Sequence, residues 1–177
     1  IITVDNSASV IGQQIIYAEN FRLPSTPMEA YSFGVNYRSP KFWFISLTGN
    51  YFDQSYLSFN PLRRTYDALK FVTPGSTGYN QIFSQTKFDS QYTLDFFGGY
   101  SWKLPKDFEV NHKPTFLVFN IGVNNILNKQ DIVTGGFEQL RYDAQTSTAD
   151  PILTAKFPAK LYYAYGINFF SSITLRL

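Results

Sequence analysis

Residues 92 to 103 read Tyr92-Thr93-Leu94-Asp95-Phe96-Phe97-Gly98-Gly99-Tyr100-Ser101-Trp102-Lys103. Every second position, from Tyr92 through Leu94, Phe96, Gly98 and Tyr100 to Trp102, is aromatic, aliphatic or glycine. The positions between them carry Thr93, Asp95, Ser101 and Lys103 beside Phe97 and Gly99. Successive side chains of a strand point to opposite faces, so this spacing predicts a strand that touches two different solvents.

The same period recurs on both sides. Upstream, Tyr31, Phe33, Val35 and Tyr37 alternate with Ser32, Gly34, Asn36 and Arg38; beyond the Ser39-Pro40 break, Trp43, Ile45, Leu47, Gly49 and Tyr51 alternate with Phe44, Ser46, Thr48 and Asn50. Downstream, Leu117, Phe119, Ile121 and Val123 alternate with Val118, Asn120, Gly122 and Asn124. The last run sets Tyr163, Tyr165, Ile167, Phe169, Ser171, Ile173, Leu175 and Leu177 against Ala164, Gly166, Asn168, Phe170, Ser172, Thr174 and Arg176. No apolar series holds a charge, and only Gly49, Gly98 and Ser171 interrupt them, whereas the opposite series hold Arg38, Asp95, Lys103 and Arg176. Strands are expected at about 30–38, 42–52, 90–103, 115–126 and 160–177, with Gly98-Gly99 marking a bend or bulge.

Two sheets packed in a soluble sandwich produce alternation, and so does a strand between lipid and water. Two features favour lipid. Large aromatics, namely Tyr31, Tyr37, Trp43, Tyr51, Tyr92, Trp102, Tyr165 and Phe169, sit toward the ends of the apolar series, as interfacial girdles require. The runs also match the roughly 9–11 residues of a tilted membrane-crossing strand better than the usual 5–6 of globular ones. The fold expected is therefore all-β, an antiparallel transmembrane β-barrel, with Asn36, Arg38, Asp95, Lys103, Asn120, Asn124 and Arg176 facing its lumen. Five strands cannot close such a barrel, so the remaining strands must come from elsewhere.

Composition agrees. Of 177 residues, 19% are aromatic and only 16% charged, and the 18 Phe and 13 Tyr exclude a disordered chain. No apolar run reaches the roughly 18 residues of a transmembrane helix. A net charge of +2 without a basic block gives nucleic acid no footprint, and the absence of Cys removes disulfides and thiolate metal sites. The chain starts at Ile1 with no charged leader ahead of an apolar core, so no signal peptide is legible and the sequence reads as a piece of a larger protein.

Connections alternate in length: 39–41 and 104–113 are short, while 53–89 and 127–159 are long and residues 1–28 end another long segment. Outer-membrane barrels turn briefly on the periplasmic side and loop widely outside, so the long segments are expected to be extracellular. Catalytic chemistry is not visible: His112 is the only histidine and lies in a turn. Asp131, Glu138, Asp143 and Asp150 lack Ca²⁺-loop spacing and read as solvated charges. Arg63, Arg64 and Tyr66, together with Asp131, Glu138, Arg141 and Asp143, are the loop residues whose chemistry suits an anionic or sugar-like cargo. A structural pairing of the arginines with Asp53 or Asp67 competes with that role. No metal, cofactor or enzymatic activity is expected.

The stretch Phe119-Asn120-Ile121-Gly122-Val123-Asn124-Asn125-Ile126-Leu127-Asn128-Lys129, followed by Tyr165-Gly166-Ile167-Asn168-Phe169-Phe170 and Ile173-Thr174-Leu175-Arg176-Leu177, resembles the closing hairpin of TonB-dependent outer-membrane receptors. Thr26-Pro27, Ala30-Tyr31-Ser32, Asn36 to Trp43 and Asn60-Pro61-Leu62-Arg63-Arg64-Thr65 resemble the subgroup with a carboxypeptidase regulatory-like N-terminal extension, related to starch- and peptide-uptake receptors. The resemblance implies the last five strands of a 22-stranded plugged barrel that imports a nutrient. It also implies TonB acting through a plug outside these residues, the barrel-assembly machinery during biogenesis, and a lipoprotein lid at the surface. Leu177 departs from the family's terminal aromatic. A non-coupled porin, a structural barrel serving lipoproteins or secretion, and a soluble carbohydrate-binding sandwich are the competing readings.

Overall fold

The computed structural model describes residues 2–4, 10–70, 72–110, 113–139, 142–144, 153–155 and 157–177. In chain order its strands are β1 (Ile2–Val4), β2 (Val10–Gln13), β3 (Glu29–Arg38), β4 (Trp43–Asp53), β5 (Gln91–Lys103), β6 (Phe116–Asn124), β7 (Val133–Phe137), β8 (Tyr142–Ala144), β9 (Leu153–Ala155), β10 (Lys160–Tyr163) and β11 (Asn168–Arg176). Two short helices, α1 (Tyr66–Leu69) and α2 (Thr77–Phe83), lie between β4 and β5. The protein is mostly β, its sheets are antiparallel, and it divides into two compact units.

One unit comprises residues 28–53, 90–132 and 163–177 and is a single five-stranded sheet in the order β11-β6-β5-β4-β3. Its register places the apolar series together. Tyr51 pairs with Tyr31 and Tyr92, Leu47 with Val35 and Phe96, Ile121 with Gly98 and Ser171, and Phe119 with Tyr100 and Ile173. β-branched and aromatic residues stabilise such a ladder through cross-strand contacts, as in the ring pairs Tyr31–Tyr51 (6.3 Å) and Tyr37–Trp43 (5.1 Å). Among the described residues of the unit nothing covers this face: Phe33 is 76% and Ile173 68% exposed. The sheet is also open, because β3 and β11 each pair on one side only among the described residues.

Registers run unbroken through Gly98 and Gly99 on both sides, so of the bend or bulge expected there no bulge forms. Glycine serves close approach instead. Phe170, opposite Gly122 across β11 and β6, lays its ring where a Cβ of residue 122 would stand, so an aromatic caps a gap in the neighbouring strand.

The final strand is shorter than the alternation implies. Lys160–Tyr163 pairs with β7 rather than with β6, the chain leaves strand geometry over Ala164–Ile167, and β11 begins at Asn168. Tyr165, expected in the girdle, lies in this break and is 90% exposed. At Gly166 a Cβ would stand 2.5 Å from the Asn128 side-chain oxygen, and the Ile167 N–H donates to that oxygen at 3.0 Å. This local bond replaces the ladder.

The starts of β3, β5 and β11 and the ends of β4 and β6 share one end of the antiparallel sheet, where the chain crosses to the other unit; residues 39–42 and 104–115 connect strands at the opposite end. That second unit comprises residues 1–27, 54–89 and 133–162. The segments read as loops hold a core of their own, with Leu57, Val72, Ile82 and Phe88 buried. The Ser76 hydroxyl accepts the Tyr79 N–H at 3.1 Å and so starts α2, and β1–β2, β7–β10 and β8–β9 form two-stranded ribbons.

Candidate functional site

The loop residues singled out as cargo contacts resolve into two groups. Asn60 opens a short 3-10 helix, Pro61–Arg64, its side chain accepting the Leu62 N–H at 3.0 Å, and the helix directs Arg64 inward, where it is fully buried. Its guanidinium donates twice to Glu138, at 2.8 and 3.1 Å, and once to the Asn60 carbonyl at 2.9 Å. It lies over the rings of Phe21 (4.6 Å) and Phe59 (5.3 Å). Glu138 accepts the Asn60 N–H at 2.9 Å and stands 3.7 Å from the Arg63 guanidinium. A planar fork matched to a carboxylate and set against a pair of touching rings is a favourable setting for a buried guanidinium.

Burial alone raises the Glu138 carboxyl, but the Arg64 hydrogen bonds, the Asn60 N–H and the charges of Arg64 and Arg63 outweigh it, leaving its pKa below the ordinary value. Arg63, Arg64 and Glu138 therefore form a structural cluster rather than a surface for cargo. The carboxylate that Arg64 pairs with is Glu138 rather than Asp53 or Asp67, and Asp67 bonds Lys70 at 3.4 Å. Of the other loop candidates, Tyr66 is 64% exposed and Asp131 is exposed. Asp143 belongs to β8, but its side chain lies outside the described residues, as do Arg141, Asp150 and His112. Among the described residues no three His, Asp or Glu gather as a metal site would need.

The face opposite the apolar one carries Asn36, Arg38, Asp95, Lys103, Asn120, Asn124 and Arg176 together. A polar chain crosses it. Ser32 donates to Asn50 (2.9 Å), Asn50 donates to Thr93 (3.2 Å) and Asp95 (2.9 Å), and Asp95 accepts the Asn125 N–H (2.8 Å). Asn124 bonds Asn168 at 2.9 Å and Asn120 bonds Ser172 at 3.3 Å. Asp95 thus takes amides as partners, and Arg38, Lys103 and Arg176 form no ion pair among the described residues, Arg176 lying over the Phe116 ring at 4.9 Å. An aromatic row, Phe44–Phe97 (5.5 Å) and Phe97–Phe170 (6.0 Å), shares this face; its positions read as wet in the alternation, and only their residue types signal otherwise.

The Asn124-to-Lys129 stretch is a folded knot. Asn125 and Asn128 adopt left-handed backbone, with φ of 52° and 49°. The buried Asn125 amide donates to the Lys129 carbonyl (2.8 Å) and the Tyr165 carbonyl (3.3 Å) and accepts the Lys129 N–H (3.1 Å). Lys129 in turn caps the Tyr92 ring at 3.8 Å. Asn tolerates this backbone and supplies donor and acceptor at once, which no apolar residue does.

No family model, curated protein or solved structure matches this chain. Its chemistry is therefore read from its own residues, and the Asn knot gives a direct check. Asn125→Ala is expected to cost about 1–3 kcal/mol, because the buried Asn125 amide no longer pairs with the Lys129 N–H and with the Lys129 and Tyr165 carbonyls. Asn125→Gly, which keeps the backbone but not the amide, should cost less. Denaturant midpoints measure the loss, and hydrogen exchange at the Lys129 amide should accelerate in both variants.

Proposed function

We propose that this chain is a wall segment, with its outer loops, of a TonB-dependent outer-membrane transporter that imports a nutrient. One observation carries the reading: five long antiparallel strands set their apolar series in register on one uncovered face and their polar series on the other, in a sheet with two open edges. A lone apolar face of this size is unfavourable in water, and long unpaired edges invite further strands. Lipid on one side, a wet lumen on the other and neighbouring strands at β3 and β11 answer all three demands. Tyr31, Tyr51 and Tyr92 would then lie at the outer interface, and Tyr37, Trp43 and Trp102 at the periplasmic one.

In this reading the protein performs no bond chemistry. Cargo meets the loops outside, where Tyr66 and Asp131 are accessible. TonB acts through the plug, a surface lipoprotein closes the loops, and the barrel-assembly machinery inserts the strands. The Asn knot that carries part of the family resemblance supports the assignment by giving that motif a physical task in closing β6 toward β11.

Extraction tests the reading. Membranes washed with alkaline carbonate should retain the polypeptide until detergent is added, and its denatured mass should be roughly 80–120 kDa, as a 22-stranded barrel with a plug requires. Cargo uptake should stop with a protonophore, which separates a coupled importer from a passive pore. Recovery in the aqueous fraction without detergent overturns the membrane assignment.

A further inference from the structure

The apolar face of the five-stranded sheet is not uniform. At its middle, Ile45, Gly98, Ile121 and Ser171 lie in one cross-strand row, and the two small residues leave a groove of about 510 Å³ lined almost wholly by apolar atoms. Trp43 walls it on the side of the short connections and Phe96 on the other. A groove this apolar suits a hydrocarbon chain rather than a polar ligand.

Charge on this unit is divided by end. At the end with the short connections stand Arg38, Lys41, Lys103, Lys106, Lys113 and Arg176 against Asp107 and Glu109; at the other stand Glu29, Asp53, Asp95 and Asp131 against Lys129. Lys41, two residues before Trp43, is exposed, as are Lys106 and Lys113, and none forms an ion pair among the described residues. Arg38, Lys103 and Arg176 belong to the polar face, which leaves the exposed connection lysines as the remaining cations at this end of the sheet.

We propose that this end of the sheet holds an anionic phospholipid, with one acyl chain in the Gly98 groove and its phosphate at Lys41 and Lys106. The proposal rests on the membrane reading above and adds a selective site to it. Apolar volume below an aromatic band and cations just beyond that band match the two ends of one lipid, and clustered lysines beside a bilayer favour anionic headgroups.

The test uses the detergent-extracted protein reconstituted in zwitterionic vesicles containing a small fraction of brominated acyl chains, carried on phosphatidylglycerol or on phosphatidylethanolamine. The signal is the quenching of Trp43, taken as the difference between the parent protein and Trp43→Phe. Brominated phosphatidylglycerol is expected to quench at least about fivefold more effectively at low mole fraction, fivefold being the factor for each of the two lysines near an anionic headgroup. The preference should vanish in Lys41→Glu/Lys106→Glu and fall in Ser171→Leu, which fills the groove. Equal quenching by both carriers overturns the site while leaving the membrane reading intact. No quenching by either overturns both, and a preference that survives the lysine reversals overturns the assigned headgroup contacts.

Discussion

Glu138→Ala is expected to destabilise the unit built from residues 1–27, 54–89 and 133–162 by about 3–5 kcal/mol, the cost of stripping a buried guanidinium of its carboxylate. Arg64 has no exposed surface and the Asn60 carbonyl would be its one remaining hydrogen-bond acceptor among the described residues, while the Asn60 N–H would lose the Glu138 carboxylate. Arg64→Met combined with Glu138→Leu should cost far less than either single change, because no charge is then left buried. The carboxyl's pKa is lower in the folded protein than in the unfolded chain, so the folded state binds fewer protons. Its stabilising contribution is complete above the unfolded carboxylate pKa and fades as the pH falls through the folded value. Hydrogen exchange at residues 57–69 as a function of pH measures both effects. Protection there that is indifferent to Glu138→Gln and to acid would remove the cluster from its structural role.

The five-stranded sheet was legible because period two is a local signal, and strands whose two faces meet different surroundings must show it. The same signal misled at the last strand. Tyr163, Tyr165 and Ile167 continue the alternation, yet the Ile167 N–H is held by the Asn128 side chain, about forty residues away in sequence, and alternation carries no trace of that bond. The arginines mislead for the same reason: Arg64 and Glu138 are 74 residues apart, so a search for nearby carboxylates finds Asp53 and Asp67 instead. Helix α2, of seven residues, is too short to set up a periodic stripe, which is why 53–89 read as irregular. Phe44, Phe97 and Phe170 were visible as residues but assigned by parity alone, and cross-strand register is what gathers them into a row.

Ile121→Arg and its sequence neighbour Asn120→Arg separate the two faces of that sheet. Ile121, between Gly98 and Ser171 on the apolar face, should cost about 2–4 kcal/mol as Arg if hydrocarbon covers it. Asn120 faces the polar side, where the chief loss is its bond to Ser172, worth about 1 kcal/mol. Unfolding from phospholipid vesicles measures both. Equal costs would mean that the two faces meet the same solvent, and the barrel reading would fail. A large cost for Ile121→Arg is still open to a second explanation, a protein layer packed on the apolar face, and Ile121→Ala distinguishes it. Against a fixed protein layer that truncation leaves a cavity, adding a penalty to the lost transfer energy. Against fluid acyl chains the space refills, so the penalty is absent and the cost stays near the transfer term of about 0.8 kcal/mol per methylene removed. A severe Arg effect with an Ala effect no larger than transfer is therefore the pattern expected of a sheet whose apolar face meets lipid.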